Sequence, residues 1–290
     1  METVAGGETQ VVVVIPAFQP GPVLVETCAS VLAAGCRVVV VDDGSGPEYS
    51  PVFQALDARV LLVRHARNRG KGAALKSGLG FVRDACETWG DVVVVTADAD
   101  GQHRVADVLR VAAVAAAHPG CLVLGARDFG ETRVPTRSRL GNRVASGVFS
   151  AATRHRVADT QTGLRACGSA LLPVLLGAAG SGFDFEMNVL LVCAATGVEL
   201  VEVPIETVYV GANESSHFRP VRDSARVLWQ VVRFSASSLF SWAVDFALFA
   251  VLVAASGAAS SPSRVVFANV VARLVSASVN FLINRRLVFR

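Results

Sequence analysis

Short apolar runs recur along the first 125 residues of the chain, and stretches with helical periodicity separate most of them. The runs have the length and β-branched content of buried strands and lie at residues 11–15, 37–41, 60–64, 92–96 and 121–125. Helical periodicity is clear at residues 23–34 and 105–117. Strands that alternate with helices predict an α/β fold with a mostly parallel sheet that helices cover on both faces.

The pattern changes after residue 198. Residues 199–209 are typical of strands that close the domain, and Pro204 is expected to interrupt them. A stretch with apolar positions at helical spacing follows, and it carries the basic residues Arg219, Arg222, Arg226 and Arg233. This spacing predicts a basic amphipathic helix that lies in the headgroup layer of a membrane. Residues 234–255 and 265–283 are apolar for 22 and 19 residues, which is long enough to span a bilayer at about 1.5 Å per residue.

These patterns divide the chain into four predicted parts. They are an N-terminal tail at 1–10, an α/β domain at 11–211, a loop with an interfacial helix at 212–233, and a transmembrane hairpin at 234–290. A buried soluble hairpin is the alternative for the last part. A hydrophobic content of 52% and a mean hydropathy of +0.48 favour contact with lipid.

The orientation of the predicted hairpin follows from its flanking charges. Arg226 and Arg233 precede the first span, and Arg285 and Arg286 follow the second, so both ends are expected to face the cytoplasm. The first ten residues lack the basic start and apolar core of a signal peptide. The α/β domain is therefore expected on the cytoplasmic side.

Two opposite charges fall inside the predicted spans. Asp245 and Arg273 lie at nearly the same depth of an antiparallel hairpin, and either charge alone would be costly in hydrocarbon. The pattern therefore predicts an intramembrane ion pair. Asn269 and Asn280 offer hydrogen-bonding groups for contacts between copies of the hairpin.

Charge and cysteine content exclude some classes of protein. A net charge of +3 is too small to indicate nucleic-acid binding. The six cysteines are far apart and form no C-x-x-C pair, so neither a zinc site nor a disulfide framework is expected. We interpret them as small core residues in a reducing compartment.

The strongest chemical signal is the segment VVVVTADADGQH at residues 92–103. An apolar strand that ends in Asp98 and Asp100 carries negative charge to the edge where open α/β sheets bind ligands. Two carboxylates, with the amide of Gln102, are hard oxygen ligands for Mg²⁺ or Mn²⁺ that leave room for phosphate and water. His103 is equally an N-terminal helix residue or a ligand, since imidazole suits magnesium poorly.

Two further loops reach the same edge of the predicted sheet. Asp42 and Asp43 end the second strand in VDDGSG and are expected to accept hydrogen bonds from a base and ribose. The loop HARNRGKG precedes a helix that starts near Lys71, but it lacks the Walker A spacing. Cations such as Arg67 and Lys71 at a helix N-terminus still suit a phosphate anion. A solvated basic turn is the alternative.

Arginines crowd the segment after the fifth strand. Arg127 follows that strand directly, and Arg139 lies in the basic stretch beyond it. A guanidinium binds phosphate with two parallel hydrogen bonds, so both residues are phosphate candidates. For the neighbouring Arg133 and Arg137, a basic surface loop without a fixed partner is the alternative.

The motifs IPAFQP, VDDGS, NRGKGAAL, ADADGQ, GARD, DTQTGLRA and FDFEMNVLL occur in order between residue 11 and about residue 209. In this series the chain resembles family 2 glycosyltransferases with the GT-A fold, close to the polyprenyl-phosphate hexosyltransferases of the dolichyl-phosphate mannose or glucose synthase type. The C-terminal sequence also resembles the small GtrA-like membrane family. That family typically has four helices, whereas this chain offers two.

The resemblance implies a role for each matching residue. Nucleotide-sugar contacts are expected at Pro16, Ala17, Asp42, Asp43, Arg67, Lys71, Asp98, Ala99 and Asp100. The metal is expected at Asp98, Asp100 and Gln102. The acceptor phosphate is expected at Arg127, Arg139, His217 and Arg219, with Asp98, Asp100, Arg127 and Arg139 as the catalytic set. The sugar site is expected at Asp159, Gln161 and Glu186.

The activity implied is metal-dependent, inverting transfer of glucose or mannose from UDP-glucose or GDP-mannose to a polyprenyl or dolichyl phosphate at the cytoplasmic membrane face. Two alternatives remain. A processive polysaccharide synthase would carry Gln-x-x-Arg-Trp on an interface helix, and residues 230–234 read QVVRF. A lipid-carrier scaffold or flippase subunit would have lost catalysis, yet both Asp pairs are intact.

Overall fold

In the computed structural model the described residues are 10–127, 142, 145–147, 149–151, 153, 155–206, 220–256 and 262–284. The chain forms two compact units, Met1–Arg226 and Val227–Arg290. Three residues expected at the acceptor phosphate, Arg139, His217 and Arg219, lie outside the described residues. Arg133 and Arg137 also lie outside them.

The first unit is a seven-stranded sheet flanked by helices. Its strands are β1 (Gln10–Ala17), β2 (Arg37–Asp42), β3 (Leu61–Arg64), β4 (Val92–Thr96), β5 (Cys121–Arg127), β6 (Arg165–Gly168) and β7 (Glu199–Ile205). Its helices are α1 (Val23–Ala33), α2 (Ser50–Gln54), α3 (Lys71–Trp89), α4 (Val105–Ala117), α5 (Leu172–Leu176) and α6 (Asp184–Thr196). Residues 47–49 and 169–171 form short 3₁₀ turns. The predicted α/β class is confirmed.

The strand order is β3-β2-β1-β4-β6-β5-β7, and every neighbouring pair is parallel except the two that β6 makes. The predicted mostly parallel sheet is therefore confirmed. Because β1, β2, β4 and β5 run in one direction, the loops that follow them open at one edge of the sheet. β6 runs the other way, so the residues that precede it lie at that same edge.

The structure differs from the sequence prediction at two strands. β6 was not predicted, because a four-residue segment of sequence RACG is too short to show a hydrophobic period. The predicted interruption at Pro204 is wrong, since β7 continues to Ile205 and pairs Pro204 with Ala126. β7 lies at the end of the sheet, where a missing backbone N–H can point away from the neighbouring strand.

The core strands are buried on both faces, as expected of a parallel sheet that helices cover. Valines of β1, β2 and β4 are almost fully buried, and each such side chain contributes about 1.5–3 kcal/mol. The six cysteines are free, and all except Cys86 are buried. Their predicted role as core residues is confirmed.

Helix α3 approaches the sheet closely at Gly78. A Cβ on Gly78 would lie 2.4 Å from Val14 Cγ1 and 3.0 Å from Val41 Cγ2, atoms that belong to stiff β-branched side chains on β1 and β2. On the same helix, a Cβ on Gly80 would meet nothing within 4 Å. The missing side chain at Gly78 therefore sets the distance between α3 and the sheet.

Two long helices follow, α7 (Pro220–Ser256) and α8 (Pro262–Ile283). The second unit contains α8 and the part of α7 from Val227 onward. Ser235–Ala255 and Pro262–Ile283 are long and apolar enough to cross a membrane by length and composition, with mean hydropathies of 2.0 and 1.7. Only 6% and 17% of these stretches is buried in the structure. Large apolar side chains such as Trp242, Phe246 and Phe267 are more than half exposed, which disfavours the buried soluble hairpin.

The buried residues of α7 and α8, among those that the structure describes, are all small. Positions four residues apart are buried on each helix, namely Ser237 and Ser241 on α7 and Ala268, Ala272 and Ser276 on α8. Such spacing lets the backbones of two helices approach closely, which is how apolar helices associate in lipid. The Ser237 hydroxyl also donates to Asn284 Oδ1 at 2.7 Å.

The predicted ion pair within this unit is confirmed. Arg273 Nη1 lies 3.6 Å from Asp245 Oδ2, and the Ser276 hydroxyl donates to Asp245 Oδ1 at 3.0 Å. The Asp245 side chain is 15% exposed, whereas the Arg273 side chain is 72% exposed. The carboxylate is thus enclosed by the two helices.

Replacement of Gly78 by alanine should destabilise the first unit, because the sheet cannot yield to the new methyl group. We expect Gly78→Ala to lower the free energy of unfolding by about 1–3 kcal/mol. Gly80→Ala is the matched control and should change it by less than about 1 kcal/mol, in the stabilising direction. Unfolding of the full chain in detergent measures both. Equal stability of the two variants would contradict the close approach.

A double-mutant cycle tests the pair between the helices of the second unit. Asp245→Asn and Arg273→Gln should each lower the thermal stability of the detergent-solubilised protein, because each leaves a charge uncompensated. The double variant should be less destabilised than the sum of the two, with a coupling energy of about 1 kcal/mol. Strictly additive effects, or no effect of either change on expression and stability, would refute the interaction.

Candidate active site

A buried carboxylate joins the loops that follow β2 and β3. Asp43 Oδ1 accepts a hydrogen bond from the backbone N–H of Arg69 at 2.9 Å and lies 2.6 Å from His65 Nδ1. Asp43 Oδ2 accepts from the backbone N–H of Gly70 at 2.8 Å. His65 Nε2 in turn lies 2.8 Å from the Ser77 hydroxyl on α3. The Asp43 carboxylate therefore fixes the segment that leads into α3.

This geometry bears on the nucleoside contact expected of Asp42 and Asp43. Asp43 is 2% exposed and its oxygens already accept from protein donors, so the structure gives it a positioning role. Its nucleoside contact stays a prediction that these bonds do not favour. Asp42 Oδ1 accepts a hydrogen bond from the backbone N–H of Ser45 at 2.9 Å. The Ser45 hydroxyl oxygen accepts one from the backbone N–H of Gln19. This chain of bonds ties the loop after β1 to the loop after β2.

Glycines allow the loops to pack against one another. Gly70 has φ of +97°, and a Cβ there would lie 2.5 Å from the carbonyl oxygen of Ser181. The same carbonyl accepts from the backbone N–H of Ala73 at 2.9 Å. The N-terminus of α3 is thus anchored on the loop before α6. Arg67 and Arg69, in the loop before α3, are exposed.

Lys71 bridges two acidic residues that are far apart in sequence. Its Nζ lies 2.7 Å from Asp98 Oδ1 and 3.1 Å from each carboxylate oxygen of Glu186. Burial alone would lower the pKa of Lys71, but the charges of Asp98 and Glu186 outweigh it and raise that pKa. Lys71 is therefore a fixed cation between α6 and the loop after β4.

The two aspartates after β4 have opposite electrostatic environments. Burial opposes ionisation of Asp98, yet Lys71 and His103 hold its pKa well below the ordinary value. Burial and the neighbouring Asp98 charge raise the pKa of Asp100, whose Oδ1 accepts from the backbone N–H of Gln102 at 3.0 Å. A Cβ on Gly163 would lie 2.3 Å from Asp98 Oδ2, so only glycine fits beside that carboxylate.

The acidic pair fits a divalent cation in part. Asp98 and Asp100 offer hard oxygens, and the mutual repulsion that raises the pKa of Asp100 is what a cation would relieve. Across the ranges with described coordinates, no three His, Cys, Asp or Glu side chains converge as a metal cage. A metal at this position would therefore depend on oxygens of a bound ligand to complete its coordination, as magnesium sites with phosphates commonly do.

Arg127 and Asp159 form a bidentate ion pair. Arg127 Nε donates to Asp159 Oδ2 at 2.6 Å, and Nη2 donates to Oδ1 at 3.1 Å. Asp159 is fully buried and also accepts from the backbone N–H of Gln161. Its expected contact with a sugar is not favoured by this burial. The pair instead holds Arg127, whose side chain is 25% exposed, at the edge of the site.

Arg165 is a buried residue to which the sequence analysis gave no role. Its Nε donates to the carbonyl of Thr162 at 3.0 Å, Nη2 to that of Thr160 at 3.3 Å, and Nη1 to that of Glu186 at 2.7 Å. The guanidinium therefore holds the loop of residues 160–162 against α6. The signal that could have identified Arg165 is a lone arginine between the apolar residues Leu164 and Ala166, since a charged residue is seldom buried without a partner.

A small polar cleft lies beside Asp98. It is lined by Asp98, Gln102, His103, Arg127, Gln161, Gly163 and Ile205. The structure thus brings together Asp98, Gln102, Arg127 and Gln161, four of the residues predicted for the site. Lys71 and Glu186 join them through Asp98, whereas Pro16 and Ala17 lie at the end of β1 and Ala99 packs against the core.

The chain matches known proteins in sequence. A family model described as Glycosyl transferase family 2 matches residues 12–172. An uncharacterized protein of Methanocaldococcus jannaschii is 30% identical over 205 residues, which are 69% of this chain and 82% of that protein. A UDP-N-acetylglucosamine:dolichyl-phosphate N-acetylglucosaminyltransferase of Methanococcus voltae is 27% identical over 194 residues, which are 60% of this chain and 75% of that enzyme.

Solved structures share the fold at lower identity. Mannosyl-3-phosphoglycerate synthase from Rubrobacter xylanophilus has a TM-score of 0.59 at 18% identity, and the likeness covers 81% of this chain and 75% of that one. A crystal structure described as a mycobacterial protein has a TM-score of 0.53 at 18% identity, covering 78% and 73% of the two chains. These similarities concern the fold.

The Asp43 network leads to a prediction about the loop before α3. Asp43→Asn retains one acceptor oxygen but turns an amide N–H₂ group towards protein donors, so we expect a loss of about 1–3 kcal/mol of stability. Hydrogen exchange at Arg69 and Gly70 should accelerate. Asp84→Asn, which alters an exposed carboxylate, should change stability by less than about 0.5 kcal/mol. Unchanged exchange in Asp43→Asn would show that the carboxylate does not hold the loop.

Proposed function

Because the chain belongs to glycosyl transferase family 2, we propose that it transfers a sugar from a nucleotide diphosphate sugar to a polyprenyl or dolichyl phosphate at a membrane. The observation that carries the proposal is the Lys71, Asp98 and Glu186 cluster beside a polar cleft. It lies at the edge of the sheet where the loops after β1, β2, β4 and β5 converge. Two apolar helices in the same chain supply the reason for a lipid acceptor.

The donor is proposed to bind along the loops after β1, β2 and β3. The nucleoside would lie near Pro16, Ala17 and Asp42, while Asp43 holds the loop in place. The exposed Arg67, with Arg69, and the fixed cation Lys71 provide positive charge for the diphosphate. Cations at a helix N-terminus are well suited to such an anion.

The proposed metal is Mg²⁺ or Mn²⁺, held by Asp98 and Asp100, with Gln102 beside them. When bound, a divalent cation neutralises the diphosphate that leaves the sugar. Lys71 compensates part of the negative charge of Asp98 within the protein itself. Gly163 lets the Asp98 carboxylate lie against the backbone, because a Cβ there would collide with it.

The proposed reaction is a single displacement. An oxygen of the acceptor phosphate forms a bond to the anomeric carbon, the bond from that carbon to the donor's diphosphate breaks, and its electron pair leaves with the diphosphate. The configuration of the anomeric carbon is inverted. The acceptor phosphate is already ionised near neutral pH, so no general base is needed. Catalysis then depends on positioning the two reactants in line.

The acceptor phosphate is proposed to be bound by arginines. Arg127 is held by Asp159 with part of its side chain exposed to the cleft, so its position is preorganised for a phosphate. Arg139, His217 and Arg219, which the resemblance assigns to the same phosphate, would complete the acceptor site. Asp159, Gln161 and Glu186 are proposed to shape the sugar site. Asp159 acts through Arg127, and Glu186 acts through Lys71.

The polyprenyl chain is proposed to stay in the bilayer. The segment 212–233 would lie at the surface, and the hairpin of 234–290 would span the membrane with both ends and the catalytic domain in the cytoplasm. Such a position lets a cytosolic sugar nucleotide and a membrane phosphate reach one site. Association of hairpins from two copies is proposed through the polar groups of Asn269 and Asn280.

The transferred sugar distinguishes three candidate donors. The motifs NRGKGAAL and DTQTGLRA resemble the glucose-type relatives and so favour UDP-glucose over GDP-mannose, whereas the Methanococcus voltae relative is named for transfer of N-acetylglucosamine to dolichyl phosphate. UDP-glucose, GDP-mannose and UDP-N-acetylglucosamine are therefore the donors to compare. The shared element is a nucleotide diphosphate sugar.

Transfer of label to lipid tests the function. Membranes that contain the full chain are incubated with each of the three labelled donors and polyprenyl phosphate, with Mn²⁺ or Mg²⁺ present. We expect chloroform-extractable labelled product with one donor and loss of at least about 100-fold of that activity in Asp100→Ala, because the leaving diphosphate loses its charge compensation. Chelation with EDTA should have the same effect, and added Mn²⁺ should restore activity.

The matched control is Asp84→Asn, which removes an exposed carboxylate and should retain full transfer. Full activity of the wild type in EDTA would exclude the proposed metal. Label in a polymer that size-exclusion separates from lipid would indicate a processive synthase. Absence of both transfer and sugar-nucleotide hydrolysis with every donor would refute the enzyme and support a scaffold.

A further inference from the structure

His103 is buried beside Asp98 with its hydrogen-bonding capacity unused. The side chain is 10% exposed, and among the described residues neither Nδ1 nor Nε2 has a hydrogen-bond partner. Asp98 Oδ2 lies 3.8 Å from Nε2, which is too distant for a hydrogen bond. Burying polar atoms without partners costs about 1–3 kcal/mol each, so such a group in a site calls for a ligand.

The surroundings of His103 define the chemistry of that ligand. The imidazole lines the cleft together with Gln102, Gln161, Asp98 and Arg127. A neutral imidazole offers one donor and one acceptor, each glutamine amide offers both kinds of group, and Asp98 adds an acceptor. A ligand that presents several hydroxyl groups, each able to donate and accept, matches this mixture.

Other ligand classes match less well. A phosphate on Arg127, which lines the same cleft, would present mainly acceptor oxygens, so it would leave the acceptor nitrogen of a neutral His103 and the amide oxygens of Gln102 and Gln161 unsatisfied. Mg²⁺ prefers oxygen ligands and would leave at least one ring nitrogen of His103 unsatisfied. An apolar group would leave both nitrogens unsatisfied. The hydroxyls of a sugar ring satisfy the imidazole and the amides together.

We propose that His103 binds a hydroxyl group of the sugar that is transferred, and so helps to determine which sugar the site accepts. This inference rests on the proposed function and adds to it a residue that recognises the sugar and not the nucleotide. Its place directly after the Asp98 and Asp100 turn puts it next to the diphosphate end of the donor. The sugar ring would occupy the cleft between His103 and Gln161.

Comparison of two ligands that differ only by the sugar tests the proposal. The affinities of UDP and UDP-glucose, of UDP and UDP-N-acetylglucosamine, and of GDP and GDP-mannose are measured by calorimetry on the full chain in detergent, with Mn²⁺ present. His103→Ala should lower the affinity for the nucleotide sugar about tenfold, for whichever nucleotide sugar the wild type binds, as the loss of one or two hydrogen bonds predicts. The affinity for the matching nucleotide should not change.

Two variants serve as controls. His103→Gln keeps a donor and an acceptor and should recover part of the lost affinity. His118→Ala removes an exposed histidine at the end of α4 and should have no effect. Unfolding temperatures of all variants establish that each is folded, and His103→Leu, which removes the polar atoms but keeps a bulky side chain, replaces His103→Ala as the test if the alanine variant is not.

Each remaining outcome contradicts the proposal in a recognisable way. Equal weakening of nucleotide and nucleotide sugar would assign His103 to the nucleotide. Weaker binding of Mn²⁺ alone to His103→Ala would assign it to a metal. Unchanged affinities would show that the imidazole binds no part of the donor. If the wild type binds none of the nucleotides, the proposed function fails together with this inference.

Discussion

The donor side of the site depends on the buried carboxylate of Asp43. Its oxygens accept from the backbone of Arg69 and Gly70, so they determine where α3 begins. Lys71 is the first residue of that helix and reaches both Asp98 and Glu186. A single desolvated acceptor thus positions a cation that in turn orders two acidic residues from distant parts of the chain. Asp43, Lys71, Asp98 and Glu186 come from separate parts of the chain. Hydrogen bonds and ion pairs therefore hold the arrangement together.

Much of this arrangement could be predicted from the sequence. Apolar runs that end in polar loops identify parallel strands, and parallel strands bring Asp42, Asp98 and Arg127 to one edge whatever the details of packing. The depth match of Asp245 and Arg273 likewise follows from residue counting in two helices. These inferences succeed because each uses the periodicity of apolar residues or the direction of an element, and both can be determined from a short stretch of sequence.

Other features could not be predicted, for physical reasons. β6 is a strand because β4 and β5 hold it, and its four residues carry no period of their own. The pairing of Lys71 with Glu186 joins positions 115 apart, and a basic residue at a helix start gives no indication of its partner. The burial of Asp43 and of the His103 ring depends on how whole loops pack. The sequence therefore predicts which residue types lie at the edge of the sheet. It does not predict which of them pair with one another and which remain available to a ligand.

Lys71 is shared between two carboxylates, and this has a consequence for how the chain can vary. Removal of either acid leaves the lysine attached to the other, whereas removal of the lysine leaves two acids facing each other across a buried gap. The three charges are therefore coupled, and the lysine is the member whose replacement by a neutral residue brings two like charges together.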